Sequence, residues 1–193
     1  MIKRIGLTGG IGSGKSTVAH ILEAMSYPVY YSDLRSKELS DQHEGIRSNL
    51  ISLFGNQAYE DNQLNRVYLS DCIFKSPELR LKVNEIIHPV VRQDFEDWCS
   101  KQTSPLLFNE AAILFETGAY KQFDAMILIC APIHQRIERV MLRDLCSKEQ
   151  VEQRIQSQWS DEQKRELTNF CIENDGIHPL LIQVEVVVKH LLA

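Results

Sequence analysis

The stretch of residues 9–16 constrains this chain more than any other part of its sequence. It reads Gly-Gly-Ile-Gly-Ser-Gly-Lys-Ser, which fits the pattern GxxxxGK[ST]. A short apolar run at 5–8 precedes it, and apolar residues recur at helical spacing within 16–25. This order predicts a strand, a tight loop and a helix, with backbone N–H groups surrounding a phosphate at the helix N-terminus. The alternative is a glycine-rich turn that holds no ligand.

The residues of this loop have separate expected roles toward a nucleotide triphosphate. Lys15 is expected to reach the β and γ phosphates of ATP, and the Ser16 hydroxyl is expected to ligate Mg2+. The expected phosphate cradle comprises Gly10, Ile11, Gly12, Ser13, Gly14, Lys15, Ser16 and Thr17. Neither an NKxD nor a DxxG stretch occurs in the chain, which disfavours a guanine-nucleotide switch.

Composition limits the kinds of partner that the chain can bind and indicates its cellular compartment. The chain has 193 residues, 21 Lys plus Arg against 26 Asp plus Glu, and a formal net charge of -5. This balance argues against wide binding of nucleic acid or of an anionic membrane. The sequence has no apolar run of membrane-spanning length and no signal-peptide pattern, and its five cysteines include no CxxC pair. We therefore expect a cytoplasmic protein with reduced thiols.

The apolar runs alternate with helical patterns along most of the chain. Strands are expected at 5–8, 29–31, 106–109, 125–130 and 170–172. Strands and helices in this order predict an α/β fold in which helices cover both faces of a parallel sheet. We expect one domain, 1–193, with its core at 1–35, 104–146 and 168–193. Residues 36–103 are expected to form a helical insertion without strands, and the polar stretch 147–167 a helical lid.

Asp33 is the candidate base from its position alone. It follows the second expected strand, and ligands of parallel sheets bind at the carboxyl ends of the strands. A kinase needs an acidic group beside the acceptor hydroxyl, and Asp33 could supply it. The alternative is that Asp33 caps a helix beginning at Leu34.

Several further stretches accompany the loop in a fixed order. They are Ser32-Asp33, IIHPVVR at 86–92, AILFE at 112–116, QRIERVMLRD at 135–144, RIQSQ at 154–158 and IENDG at 172–176. Together with GLTGGIGSGKSTVA at 6–19, this set resembles the bacterial dephospho-CoA kinase family. The resemblance implies a P-loop NTPase-type fold with a helical substrate-binding insertion and a lid. It also implies transfer of the ATP γ-phosphate to the ribose 3'-hydroxyl of dephospho-CoA, by a monomer or weak homo-oligomer.

The resemblance implies roles for five residues near the ATP phosphates, the reacting hydroxyl and the adenine. It implies that Asp33 accepts the 3'-hydroxyl proton and is catalytic together with Lys15 and Arg139. It also implies that Arg139 and Arg143 bring positive charge to the ATP phosphates; ion pairs with a neighbouring Glu138 or Asp144 are the alternative. Asn174 is expected on the adenine side.

On the acceptor side, the resemblance places His88 and Arg92 in the insertion that receives dephospho-CoA. A structural hydrogen bond is the alternative for His88, and Pro89 is expected to kink the helix or to begin a new one. Thr8 is expected near the substrate, unless its hydroxyl only holds the loop.

The chain departs from the family pattern at two places. Tyr31 stands where the family usually has the first acid of DAD, so only Asp33 is kept. Glu110 replaces an Asp; it is expected either to hold a Mg2+-bound water or to face solvent as a strand-end charge. Glu116 is expected to cap or pair within the nearby turn.

Two rival functions remain open on the sequence. One is another small-molecule or nucleotide P-loop kinase, which the IIHPVVR stretch disfavours. The other is a nucleotide-binding module that turns over no small acceptor.

Overall fold

The structure is a computed structural model that describes residues 2–74 and 76–193. The chain divides into two compact units, Met1–Tyr31 with Gln102–Ala193, and Ser32–Lys101. We call them the first unit and the second unit. The insertion expected at 36–103 corresponds to the second unit, which begins four residues earlier, directly after the second strand.

The elements alternate in the first unit and are mostly helical in the second. The strands are β1 Lys3–Thr8, β2 Val29–Tyr31, β3 Tyr59–Glu60, β4 Gln63–Leu64, β5 Leu106–Glu110, β6 Ala125–Cys130 and β7 Phe170–Glu173. The α-helices are α1 Lys15–Ala24, α2 Ser32–Gln42, α3 Glu44–Phe54, α4 Arg66–Phe74, α5 Pro77–Cys99, α6 Ile133–Asp144, α7 Lys148–Gln156, α8 Asp161–Arg165 and α9 Leu180–Leu192. None of the helices in the described ranges is long and apolar enough to cross a bilayer.

The sheet of the first unit has five parallel strands in the order β2-β5-β1-β6-β7. β1 is central: Ile5 pairs with Phe108 of β5 on one side and with Ala125 of β6 on the other. The carboxyl end of β1, from which the glycine-rich loop departs, therefore lies in the middle of one sheet edge. The expected α/β fold with a parallel sheet is confirmed.

Both faces of the sheet are buried, which explains the continuous apolar runs. On one face, Ile5 and Leu7 pack with Val18 and Leu22 of α1 and with Val184 of α9. On the other face, Met126 packs with Ala111, Leu114 and Phe115. A fully buried Leu or Phe contributes about 2 kcal/mol by its transfer from water, so these clusters hold α1 and α9 firmly on the sheet.

The second unit packs helices around its own apolar cluster. Ile46 and Leu50 of α3, which are four residues apart, are buried together with Val83 of α5, Ala58 and Leu64. The unit also contains the antiparallel hairpin β3–β4, in which Tyr59 pairs with Leu64. The prediction of a strand-free insertion is therefore wrong.

The tight turn and the short strands of the β3–β4 hairpin explain why the sequence pattern did not predict it. Its two central residues, Asp61 and Asn62, have φ values of 48° and 64°. Two consecutive left-handed residues form the tight turn that matches strand twist, and Asp and Asn adopt this conformation more readily than most residues. Strands of two residues are too short to display an alternating pattern.

Pro89 lies inside α5 without dividing it, since α5 runs from Pro77 to Cys99. The helix is thus continuous and no new helix begins there. Asp94 of the same helix accepts two hydrogen bonds from Arg35 of α2, at 3.0 and 2.7 Å. This bidentate contact joins α2 to α5 within the second unit.

The polar stretch 147–167 is helical, as expected, and forms α7 and α8. Each helix begins with a capping box, Ser147 with Gln150 and Ser160 with Gln163. Reciprocal hydrogen bonds of this kind satisfy N-terminal N–H groups and let short, polar helices form.

Candidate phosphate-binding site

Glycines allow the loop after β1 to lie against its neighbours. Gly12 and Gly14 have φ values of 78° and 99°, a region that other residues adopt only with strain. A Cβ at Gly12 would lie only 2.5 Å from the backbone carbonyl oxygen of Arg136, and one at Gly9 would collide with that of Ile129. The loop therefore packs so closely that side chains at these positions are excluded.

The centre of the loop has an unused polar group. Ser13 is fully buried, and its Oγ has no hydrogen-bond partner among the described residues. Helix α1 begins directly after it at Lys15, with Thr17 and Val18 donating to the Gly14 carbonyl. A buried hydroxyl without a partner beside a helix N-terminus fits an anion such as phosphate.

Lys15 lies between the loop and a buried carboxylate. Its Nζ donates to the Gly9 carbonyl at 3.1 Å and is 4.0 Å from Oε1 of Glu110. Glu110 ends β5 and is only 7% exposed, so the expectation of a solvent-facing charge is wrong for it. Among the described residues no three His, Cys, Asp or Glu side chains could hold a metal by themselves. Ser16 and Glu110 offer the hard oxygen donors that Mg2+ takes together with phosphate oxygens and water.

Two arginines of α6 differ in what they contact. Arg139 donates to the carbonyls of Gly12 at 3.5 Å and Asn174 at 3.2 Å. Arg143 is exposed and pairs with Asp144 at 2.7 Å, which is the ion pair named as its alternative. Arg139 thus contacts the loop in this structure, whereas Arg143 points to a neighbour on its own helix.

Arg136 belongs to the site and was missed by the sequence reasoning. It is buried, its Nε donates to the Ile11 carbonyl at 3.0 Å, and its Nη1 pairs with Asp161 at 3.2 Å. Its place three residues before Arg139, hence on the same helix face, was a usable signal. That spacing alone does not show burial, because the partner Asp161 lies 25 residues further along the chain.

Asn174 and Thr8 fasten the surroundings of the loop. The Asn174 side chain donates to the Ser13 carbonyl at 2.8 Å, and its backbone N–H donates to Cys130 at 2.7 Å. The Thr8 hydroxyl is buried and donates to the Ala112 carbonyl at 3.4 Å. Both side chains are therefore already used in holding the backbone around the loop.

Glu116 connects distant parts of the first unit. Its Oε1 accepts the Trp159 N–H at 2.9 Å and lies 2.9 Å from Nζ of Lys164, which is fully buried. The latter contact is an ion pair without hydrogen-bond geometry. The expectation that Glu116 pairs within its own turn is wrong, because both partners lie more than 40 residues away.

The remaining predicted residues lie in the second unit. Asp33 is exposed in the first turn of α2. Because α2 begins at Ser32, the alternative of an N-cap before Leu34 is wrong. His88 is partly buried, and burial lowers its pKa, as does the charge of the exposed Arg92. The structure brings the loop, Lys15 and Arg139 together in the first unit and places Asp33, His88 and Arg92 in the second.

Comparison with known proteins identifies relatives of this chain. A family model described as dephospho-CoA kinase matches residues 3–179. A dephospho-CoA kinase of Bacteroides fragilis (strain YCH46) is 43% identical over 185 residues, covering 95% of this chain and 90% of the relative. One of Porphyromonas gingivalis is 46% identical over 154 residues, covering 80% and 76%.

Solved structures agree with these sequence matches. TT1252 from Thermus thermophilus has a TM-score of 0.91 and 33% identity, covering 100% of this chain and 98% of that one. Dephospho-CoA kinase from Campylobacter jejuni has a TM-score of 0.69 at 24% identity, covering 98% and 96%. A shikimate kinase from Acinetobacter baumannii, with a TM-score of 0.53 at 15% identity, shares the fold alone. Because the family model spans nearly the whole chain and the relatives align over most of it, this chain belongs to the dephospho-CoA kinase family.

Proposed function

We propose that this chain transfers the γ-phosphate of ATP to the ribose 3'-hydroxyl of dephospho-CoA, giving coenzyme A and ADP. The observation that carries the proposal is the loop 9–16, with Lys15 beside it, in a chain that the family model matches from 3 to 179. The buried, unpartnered Ser13 hydroxyl supports an anion at this loop.

ATP would bind with its phosphates in the loop. The N–H groups from Gly12 to Thr17 would surround them, with Lys15 neutralising charge that builds on the β and γ phosphates. Mg2+, held by Ser16 and with Glu110 nearby, would neutralise further phosphate charge. Glu110 would hold a Mg2+-bound water by accepting a hydrogen bond from it, as a carboxylate on a longer arm than the family's Asp.

The α6 arginines and the helices α7 and α8 would complete the donor site. Arg139 supports this by its contact with the Gly12 carbonyl. Arg143 would have to exchange its Asp144 partner for a phosphate oxygen, and Asn174 would line the adenine side. Residues 147–167 would act as a lid that excludes water, since an exposed γ-phosphate would be hydrolysed.

Asp33 would orient the 3'-hydroxyl and accept its proton during transfer. Its exposure leaves the carboxylate accessible to a substrate. The second unit would receive dephospho-CoA, with Arg92 and His88 of α5 as candidate contacts and Thr8 on the side of the loop. The neutral form of His88, which its lowered pKa favours, can both donate and accept a hydrogen bond.

The five cysteines are free thiols, which supports a reducing compartment. We propose that the protein acts in the cytoplasm as a monomer or weak homo-oligomer.

The decisive experiment is ADP release by the purified protein with ATP and Mg2+. Dephospho-CoA is compared with adenosine, AMP, shikimate and no acceptor. We expect release that depends on dephospho-CoA and is at background with the other acceptors. Release with another acceptor instead would replace the proposed substrate, and nucleotide binding without any acceptor-dependent release would favour a binding module.

A further inference from the structure

The side chain of Gln158, in the connection between α7 and α8, contacts the backbone of the phosphate loop. It lies two residues after α7 ends, and its Oε1 accepts the Ile11 N–H at 2.9 Å. Ile11 stands between Gly10 and Gly12. Peptides next to glycine rotate at little steric cost, so a loop of this composition needs outside contacts to hold one conformation.

A second contact fixes the following peptide. Arg136 donates from Nε to the Ile11 carbonyl at 3.0 Å, and Asp161 of α8 holds the guanidinium at 3.2 Å. The C=O of Ile11 and the N–H of Gly12 belong to one planar peptide, so holding the carbonyl also sets the direction of that N–H. Both peptides around Ile11 are thus held by side chains from outside the loop.

The backbone on either side of Gln158 is itself anchored. The next residue, Trp159, donates its N–H to Glu116 at 2.9 Å. Lys164, which is fully buried, pairs with the same carboxylate at 2.9 Å. The capping box at Ser160 fixes the start of α8 between these two anchors. Gln158 therefore reaches Ile11 from a stretch whose own position is determined by core contacts.

We propose that Gln158 is a positioning residue for the phosphates of ATP. It acts through the Ile11 peptide: the hydrogen bond keeps the loop in the conformation that binds phosphate before the nucleotide arrives. Without this bond the loop would leave that conformation for part of the time. The Kd for ATP would then rise, because the loop has to be reordered when the phosphates bind. The proposal rests on the proposed function only in taking ATP as the phosphate donor.

The test replaces Gln158 by Leu, which keeps its size and removes the acceptor. Gln122→Leu is the matched control, since Gln122 is an exposed glutamine of the first unit that lies outside the phosphate loop and outside the segment 147–167. Calorimetric titration of the full-length protein measures the Kd for ATP and for adenosine, and steady-state assays measure both KM values. We expect Gln158→Leu to weaken ATP binding about tenfold, because a donor loses its partner. The Kd for adenosine, the KM for dephospho-CoA and the melting temperature should stay at wild-type values.

An unchanged Kd for ATP would overturn the proposal, as would an equal loss in Gln122→Leu. Equal weakening of ATP and adenosine, or a lower melting temperature, would indicate a structural role and would also overturn it. If wild-type protein does not turn over dephospho-CoA, the proposed function fails. The calorimetric comparison of ATP with adenosine would still decide the role of Gln158.

Discussion

The two units differ in how many of their polar side chains are buried. Among the described residues, the buried polar side chains of the first unit are Thr8, Ser13, Asn109, Glu110, Arg136 and Lys164. In the part of the second unit that the structure describes, Ser40 is the only polar side chain that is buried. Of its candidate site residues, Asp33 and Arg92 are exposed and His88 is partly buried. The comparison indicates that the phosphate loop is built and fastened within the core of the first unit, whereas the second unit presents its functional groups at a surface.

The difference follows from the kind of core each unit has. Parallel strands buried on both faces end together at one edge, where Glu110 and the loop after β1 are sheltered from water. Sheltered groups are held by neighbours and act more strongly on charge than groups in water. The second unit instead packs apolar side chains of its helices into one cluster, and polar residues such as Asp33 and Arg92 remain in solvent.

The substitution Asp33→Asn tests the exposed functional group of the second unit and has the largest expected effect of these predictions. It removes the proton acceptor but keeps the size, so kcat should fall by about 10²- to 10⁴-fold. The Kd for ATP should not change, because the nucleotide binds in the first unit. Glu78→Gln is the control, an exposed carboxylate in the first turn of α5. Turnover near wild type in Asp33→Asn would remove this residue from the mechanism.

The substitution Lys15→Ala tests the phosphate loop of the first unit. It should weaken ATP binding and lower turnover together. Loss of a preorganised cation at the phosphates should lower kcat by about 10²- to 10³-fold and raise the Kd for ATP. Lys37→Ala, at an exposed position of α2, provides the control. Asp33→Asn is expected to leave the Kd for ATP unchanged, whereas Lys15→Ala should raise it. If calorimetry showed that Lys15→Ala binds ATP as tightly as wild type, this difference between the two units would be contradicted.

Glu116→Gln tests whether buried charge stabilises the first unit. The change leaves Lys164 buried without its counter-charge, and we expect unfolding in urea to become easier by about 3 kcal/mol. The control is Glu152→Gln, which removes an exposed pair to Lys148 and should cost less than about 1 kcal/mol.

Replacing both Glu116 and Lys164 by apolar residues of similar size distinguishes the effect of a buried charge on stability from the effect of lost packing. The double variant should recover much of the lost stability, since no unpaired buried charge remains. Equal losses from Glu116→Gln and Glu152→Gln would show that the buried pair contributes no more than a surface pair.

His88 yields the smallest predicted effect, on the pH dependence of stability. Burial, and then the charge of Arg92, hold the pKa of His88 below its ordinary value. The unfolded chain therefore binds this proton at a higher pH than the folded one. The free energy of unfolding should thus fall as the pH drops below about 6.5, by no more than about 1.4 kcal/mol per pH unit.

Urea unfolding at pH 7.5 and 5.5 checks this expectation. Wild type should lose more stability between the two values than His88→Asn. The carboxylates of Asp41 and Asp144, whose pKa values are lowered mainly by arginine hydrogen bonds against the cost of burial, titrate below this range. Identical losses in wild type and variant would contradict a buried, repelled imidazole.

Prediction from the sequence succeeded where burial leaves a pattern. The run at 125–130 is β6 in full, and the run at 5–8 lies within β1. The apolar residues Ile46 and Leu50, four apart, are buried on one face of α3. Such elements follow from hydrophobic period and turn residues alone. The loop was equally predictable, because its glycines serve the backbone locally.

Prediction failed where a residue acquires its role from a partner far along the chain. Arg136 and Lys164 looked like solvated charges, yet both are buried against Asp161 and Glu116. Glu116 was assigned to its own turn because its partners lie in another part of the sequence. The hairpin β3–β4 was missed because its strands have two residues each. Tertiary contacts of this kind have no local period to read.

The identity of the phosphorylated atom tests the central claim most directly. The product formed from ATP, Mg2+ and dephospho-CoA would be examined by phosphorus–proton correlation in nuclear magnetic resonance. The account predicts one new phosphomonoester coupled to the ribose H3' proton, formed in step with ADP. A phosphate coupled to another proton, or ADP and inorganic phosphate with unchanged dephospho-CoA, would contradict it.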